Sequence, residues 1–320
     1  MSDLTVSLPS YFGYAGIKAV KERGNFLLAS ENAIIHKSNS NPHEIFARYN
    51  LHRQLENAGF PYTSGIISTV SGAPFVTLGR DIFVMTRHFP GREPDWGNLH
   101  DITLVIENLA RFHSAARNFS VCPKIPSSPP LTEIFTKKIA AFNTAIKQLN
   151  RRQRLSDFDI RVLKHADFYL AHAENAVNIL NQTDYASMYA DALLNNHICH
   201  NALKEETFSI HKNICYISRF DEVSIDLQLT DIASVLRRYA RKTAREIPIT
   251  QLLKIYNNIL PLSASAKKIL FAQLSFPIPF FKIVAQYYSK KRNFIPAAIT
   301  SRMTGILEEQ ENYDEFISFL

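Results

Sequence analysis

A chain of 320 residues can bury a large core, and 46% hydrophobic with 20% charged residues is globular composition, which excludes global disorder. The formal charge of +7 is modest, and its basic runs, Lys147 to Arg154 and Arg237 to Arg245, lack the interleaved aromatics or reader motif that nucleic-acid binding needs. Three cysteines, Cys122, Cys199 and Cys215, are too few for a disulfide framework, and no Cys-x-x-Cys or His-x-x-x-His pair suggests zinc.

Met1 to Ser10 has no basic segment followed by an apolar one, so no secretory signal is read there. Nor does an apolar run reach the roughly 18 residues of a membrane helix, because Pro277, Pro279 and Lys282 interrupt Leu274 to Ala285. No membrane span is therefore predicted, and the chain is expected to stay in the cytosol of the cell that makes it.

Phe26 to Ala29 and Ala33 to His36 read as two strands of a hairpin around Ser30-Glu31-Asn32. Asn41-Pro42-His43-Glu44 opens a helix with Ile45, Tyr49, Leu51, Gln54 and Leu55 at roughly helical spacing, and Gly59 stops it. Strands are predicted at Gly65 to Val70, Ala73 to Leu78 and Asp81 to Phe89. After Pro94 the character changes. Ile102, Val105, Leu109, Phe112 and Ala116 form the stripe of a helix starting near Asp101. A Pro/Ser-rich loop, Cys122 to Pro130, precedes a helix carrying Ile134, Ile139, Phe142, Ile146 and Leu149. A longer helix, Asp157 to Leu180, buries Phe158, Val162, Ala166, Tyr169, Ala173 and Val177. Short strands follow at Thr207 to Ile210 and Ile214 to Ser218, and from Asp231 onward the pattern is helical.

The predicted class is α+β with segregated layers. Residues 1–91 form a β-rich N-terminal lobe with one helix. Residues 92–320 form a helical C-terminal lobe that contains a loop at 197–210 and a hairpin at 214–221. Cys199 and Cys215 sit in apolar surroundings and are expected as core residues.

That loop and hairpin match a pattern known from phosphoryl transfer: His-x-Asp-x-x-x-x-Asn, strand-turn-strand, then Asp. The first Asp accepts the hydroxyl proton, while the Asn and second Asp hold Mg²⁺. A lysine on a strand of the small lobe steadies the phosphates. Here His200 fills the histidine position, but Ala202 stands for the catalytic Asp, Thr207 for the metal Asn and Arg219 for the metal Asp. Asp221 lies two residues further on, and Asp231 fits the structural Asp that opens the next helix.

With these residues the chain resembles the CotS-type spore-coat family, a branch of the aminoglycoside-phosphotransferase and choline-kinase superfamily. The supporting segments are Asn57 to Pro61, Phe89 to Arg92, Leu109 to His113, Leu163 to Tyr169, Asp231 to Arg237 and Ala285 to Arg292. The resemblance implies a bilobal protein-kinase-like fold. It also implies spore-coat protein partners and a location in the mother-cell cytoplasm, then in the spore coat. In the family the second strand pair ends with a Lys. His36 occupies that position here and Lys37 follows it, and a one-residue shift turns a side chain to the other face of a strand.

Mg²⁺ wants oxygen ligands, and Arg219 brings a cation instead. The leading expectation is a catalytically inactive kinase-like protein of the endospore coat, with no metal site and no use of ATP and Mg²⁺. The alternative is a divergent ATP-dependent phosphotransferase acting on a small molecule or a protein. His200 is expected to prop the loop, and Asp221 to make a turn or pair with Arg219. Candidate cleft residues are His36, Lys37 and Arg219, the last open to metal-free contact with a nucleotide or another anion.

Overall fold

A six-stranded antiparallel sheet opens the fold: Val20–Glu22, Asn25–Leu28, Ala33–Ser38, Asp81–Arg87 and Ile66–Ile67 lie side by side in that order, and Val76–Leu78 also pairs with Asp81–Arg87. The computed structural model describes residues 4–22, 24–117, 125–243, 249–289 and 297–319. Cys122, Arg245 and residues 290–292 of the sequence motifs lie outside them. Helix α1 (Leu4–Tyr11), which the sequence reading did not anticipate, precedes β1 (Val20–Glu22), β2 (Asn25–Leu28) and β3 (Ala33–Ser38). Next come α2 (Pro42–Asn57), β4 (Ile66–Ile67), β5 (Val76–Leu78) and β6 (Asp81–Arg87).

Alternation along β3 and β6 decides which side chains face where. Ala33, Ile35, Phe83 and Met85 go to one face, where Leu8 and Phe12 from α1 and its C-terminal turn cover them in a common core. Ile34, His36, Val84 and Thr86 go to the other face, and His36 lies opposite Val84 in the register. Asn41 caps α2 and exchanges hydrogen bonds with Glu44, a capping box. Gly59 follows the helix at φ +81°, a conformation that costs an L side chain strain.

Downstream lie α3 (Leu99–Ala115), α4 (Leu131–Leu149), α5 (Asp157–Gln182) and α6 (Tyr185–Leu194). Four short strands follow: β7 (Ile198–Cys199), β8 (Phe208–His211), β9 (Ile214–Ile217) and β10 (Ser224–Ile225). The chain ends in α7 (Leu229–Thr243), α8 (Ile249–Asn257), α9 (Ala264–Ser275), α10 (Ile278–Ser289), α11 (Ala297–Glu308) and α12 (Gln310–Ser318). β8 pairs with β9 as a hairpin, and β7 pairs with β10.

Packing density divides the chain into two units whose boundaries differ from a simple cut after residue 91. The first comprises Met1–Ser127, Leu193–Gln228 and Ile255–Leu260, so the loop and hairpin pack with the sheet. The second comprises Ser128–Ala192, Leu229–Lys254 and Pro261–Leu320 and is helical. Its core is aromatic: Phe135 stacks on Phe276 and Tyr169 on Phe280, each at 3.8 Å between ring centroids. Arg152, from the first basic run, pairs with the buried Asp159 at 3.1 Å, and Tyr288 donates to the same carboxylate at 2.7 Å.

By length and composition alone, Ala264–Tyr288 is apolar enough to cross a membrane, contrary to the sequence expectation. The stretch is broken at Phe276 and Pro277 into α9 and α10, and 67% of its most apolar window is buried within the protein. Those properties match the core helices of the second unit, where α9 packs on α5 and α7.

Candidate functional site

The loop after β7 is built around His200, which is fully buried. Its Nδ1 accepts from the Ala202 N–H at 3.3 Å, so Nε2 carries the proton and donates to the Ser218 carbonyl at 2.8 Å. One neutral imidazole thereby ties the loop to the end of β9. Asn201 adopts φ +62°, which Asn tolerates better than most residues. Its amide donates to Ser224 Oγ at 2.6 Å and to the Glu222 carbonyl at 3.2 Å.

Thr207 is 1% exposed, and its hydroxyl is committed within the loop. It donates to the Ala202 carbonyl at 2.8 Å and accepts from the Lys204 N–H at 3.0 Å. Thr207→Val, which keeps the shape and deletes the hydroxyl, would leave both backbone groups unpaired. It is expected to cost about 2–3 kcal/mol, read as a lower urea midpoint with an unchanged slope.

Arg219 sits at φ +63°, an uncommon conformation for a long side chain. Its guanidinium is 60% exposed and lies 3.5 Å from Glu206. Asp221, expected to turn the chain or pair with Arg219, pairs instead with Arg48 of α2. Between the two, Phe220 is buried edge-on against His52 (4.7 Å), His200 (4.8 Å) and Phe112 (5.7 Å). The alternation of Arg219 out, Phe220 in and Asp221 out joins α2, α3 and the loop. Asp231 stands apart, fully buried in the first turn of α7, where a helix N-terminus favours a carboxylate.

Arg48 and His52 were missed from sequence. Ile45, Arg48, His52 and Leu55 follow the three-four-three spacing of a buried helix face, and two ionisable residues on such a face are the signal that was available. Tyr49 and Gln54, read as part of that face, are only half-buried. The Arg48 side chain is 12% exposed and its Nε finds no acceptor among the described residues. Burial lowers its pKa and Glu44 opposes that shift. His52 bonds Thr63 Oγ1 at 3.0 Å. Burial first, then the Arg48 and Arg87 guanidiniums, pull its pKa down to about 3.

His36, on β3, faces the same cleft; burial and then Arg48 hold its pKa below the usual imidazole range. Lys37, the next residue, pairs with Asp81 at 2.7 Å at the rim. The segment after β6 is pinned to β8. Arg92 and Ile210 exchange backbone hydrogen bonds at 3.2 and 2.8 Å, and Phe89 stacks on Tyr216 at 3.8 Å. A Cβ on Gly91 would meet Ser209 Oγ at 2.3 Å and the Ile210 carbonyl oxygen at 2.6 Å, so only glycine fits there. Arg92 then grips the buried Asp101 with both nitrogens and holds its carboxyl below the usual carboxylate range.

Together these residues line a cleft of about 580 Å³ within the first unit. His36 faces it, and its basic residues Lys37, Arg48, Arg87, Arg92 and Arg219 are ion-paired with Asp81, Asp221, Glu56, Asp101 and Glu206, while Glu93 also lines it. Among the described residues no three His, Cys, Asp or Glu side chains converge as a metal site would require. Cys199 and Cys215 are buried thiols outside any disulfide, and burial pushes the Cys215 thiol up to about 12, which leaves it unreactive at neutral pH.

The model of the family described as "Spore coat putative kinase YutH" matches residues 16–320. The chain belongs to that family. It is 24% identical over 285 residues to the endospore coat-associated protein YutH of Bacillus subtilis (strain 168), covering 86% of this chain and 79% of that protein. Spore coat protein S of the same organism is 19% identical over 278 residues, 84% of this chain and 78% of that protein. The resemblance read from sequence therefore holds at the level of spore-coat kinase-like proteins, with the YutH family as the matching model. Among solved structures, the aminoglycoside phosphotransferase of Alicyclobacillus acidocaldarius superposes with a TM-score of 0.84 at 15% identity, over 99% of this chain and 92% of that one. A likeness at that identity establishes the fold. The YutH-family chain is a bilobal α+β protein of the protein-kinase-like, aminoglycoside-phosphotransferase-like class, with a β-rich N-lobe and a helical C-lobe.

Proposed function

We infer that this chain is a catalytically inactive kinase-like protein that acts as a structural or interaction component of the endospore coat. The observation that carries the reading is the state of the three loop positions where phosphoryl transfer needs an acid, an amide and a second acid. A methyl stands at Ala202, a hydroxyl consumed by its own loop at Thr207, and a guanidinium at Arg219. Mg²⁺ does not fit this set. It wants several oxygen ligands, and a unit positive charge at about 4 Å from a dication costs roughly 8 kcal/mol at an effective dielectric of 20, before Arg219 swings away. The coat names carried by both relatives support spore-coat proteins as partners, and a path from the mother-cell cytoplasm to the coat.

Thermal unfolding with ATP and MgCl₂ tests the inactive reading. A nucleotide bound at a hundred times its Kd would add about 2.7 kcal/mol to stability. The expected result is no magnesium-dependent rise in Tm. Such a rise would favour the divergent phosphotransferase instead. A second reading, metal-free binding of a nucleotide or another anion, draws on the Arg219 guanidinium, which is 60% exposed at the cleft. Calorimetry with ATP in EDTA separates the two, since heat without metal supports only the second.

A further inference from the structure

The second basic run has a role that the cleft does not absorb. Arg237 and the exposed Arg241, one turn apart on α7, both line an open cavity of about 130 Å³ on the helical unit. Like charges at this spacing repel one another on a helix surface. Among the described residues neither guanidinium has a carboxylate ion-pair partner. Arg237 donates to the Gln273 carbonyl at 2.5 Å, and its buried Nε finds no acceptor. Burial and then Arg237 lower the pKa of Arg241. Glu309 on the rim opposes that shift from beyond ion-pair reach. Phe276, Pro277 and Phe280 supply apolar lining, beside the polar Gln310, Asn312 and Tyr313.

We propose that this cavity is a binding site for a small organic monocarboxylate with an aromatic or short alkyl body. Two adjacent guanidiniums match a planar carboxylate and would be relieved of mutual repulsion by it. The aromatic wall takes the apolar body, as in ligand pockets that pair an apolar lining with a few placed polar groups. A cavity of this size holds a body of about one benzene ring. Glu309 repels a second negative charge and so selects a monoanion over a dianion. The site lies wholly in the second unit and shares no residue with the cleft.

Calorimetry on the full chain with benzoate tests the proposal, with acetate and toluene as probes lacking the body or the charge. Because Arg237 also holds the Gln273 carbonyl, the variants of choice are Arg241→Gln and Ala240→Leu. The first removes one cation, the second narrows the cavity that Ala240 lines, and both leave that hydrogen bond in place. The expected result is saturable benzoate binding at millimolar concentration, stronger than for either partial probe. Either variant should weaken it roughly tenfold or more while the Tm of the free protein holds. No saturable heat, equal binding of acetate, or benzoate binding unchanged in both variants would overturn the proposal.

Discussion

Phe220→Ala is expected to lower the stability of the first unit by about 3–5 kcal/mol, the usual cost of deleting a fully buried aromatic side chain. The ring is 3% exposed and contacts Phe112 on α3, His52 on α2 and His200 in the loop, so no single neighbour can move to fill the gap. At roughly 2–4 °C per kcal/mol for a unit of this size, Tm should fall by about 10 °C. Phe220→Leu, which keeps most of the volume, should recover more than half of that. A drop of under about 1 kcal/mol in Phe220→Ala would show that the ring does not join the three elements.

The second large effect is a loss of stability in mild acid. His52 is neutral and buried in the folded chain, with a pKa of about 3, whereas in the unfolded chain it titrates near 6.5. Below pH 6.5 the unfolded state therefore binds a proton that the folded state refuses. Stability rises with pH in that window and falls as pH is lowered from 6.5 toward 3. The slope approaches about 1.4 kcal/mol per pH unit once the unfolded imidazole is mostly charged. His36 shifts in the same direction, since Arg48 also disfavours its cation. Urea unfolding at pH 7.0 and 5.0 should show the loss in the parent chain. In His52→Gln, which keeps a partner for the Thr63 hydroxyl without titrating, the loss should shrink by about 1–2 kcal/mol. An unchanged pH dependence in that variant would mean that His52 is not the buried base.

Both effects arise where helix α2 meets the loop, and there the acids are drawn into ion pairs. Arg48 is held against Asp221, two residues beyond Arg219, so that carboxylate is already neutralised. Glu206, the other acid at hand, lies against Arg219. The remaining acid near β3, Asp81, pairs with Lys37 at the rim. These three acids are thus paired with arginine or lysine.

Sequence alone determined the order of most of the longer elements. Fixed distances between His200, Ala202, Thr207 and Arg219 along the chain need no coordinates to be read, and the stripes of α3 and α5 follow directly from helical periodicity. It also determined the class, since strands precede helices with little alternation. Helix α1, the two-residue strands β7 and β10 and helix α6 escaped, because such short segments carry too few residues for periodicity to separate them from loop. What the tertiary structure decided was pairing. Asp221 had two cations within reach, one two residues away and one on a helix far back in the chain, and it took Arg48 because Arg219 is turned outward at a left-handed backbone position. Thr207 reads as a weak ligand by its residue type alone. Only the fold shows its hydroxyl closed into a turn, since a side chain's partners are set by packing between distant segments and not by its place in a motif.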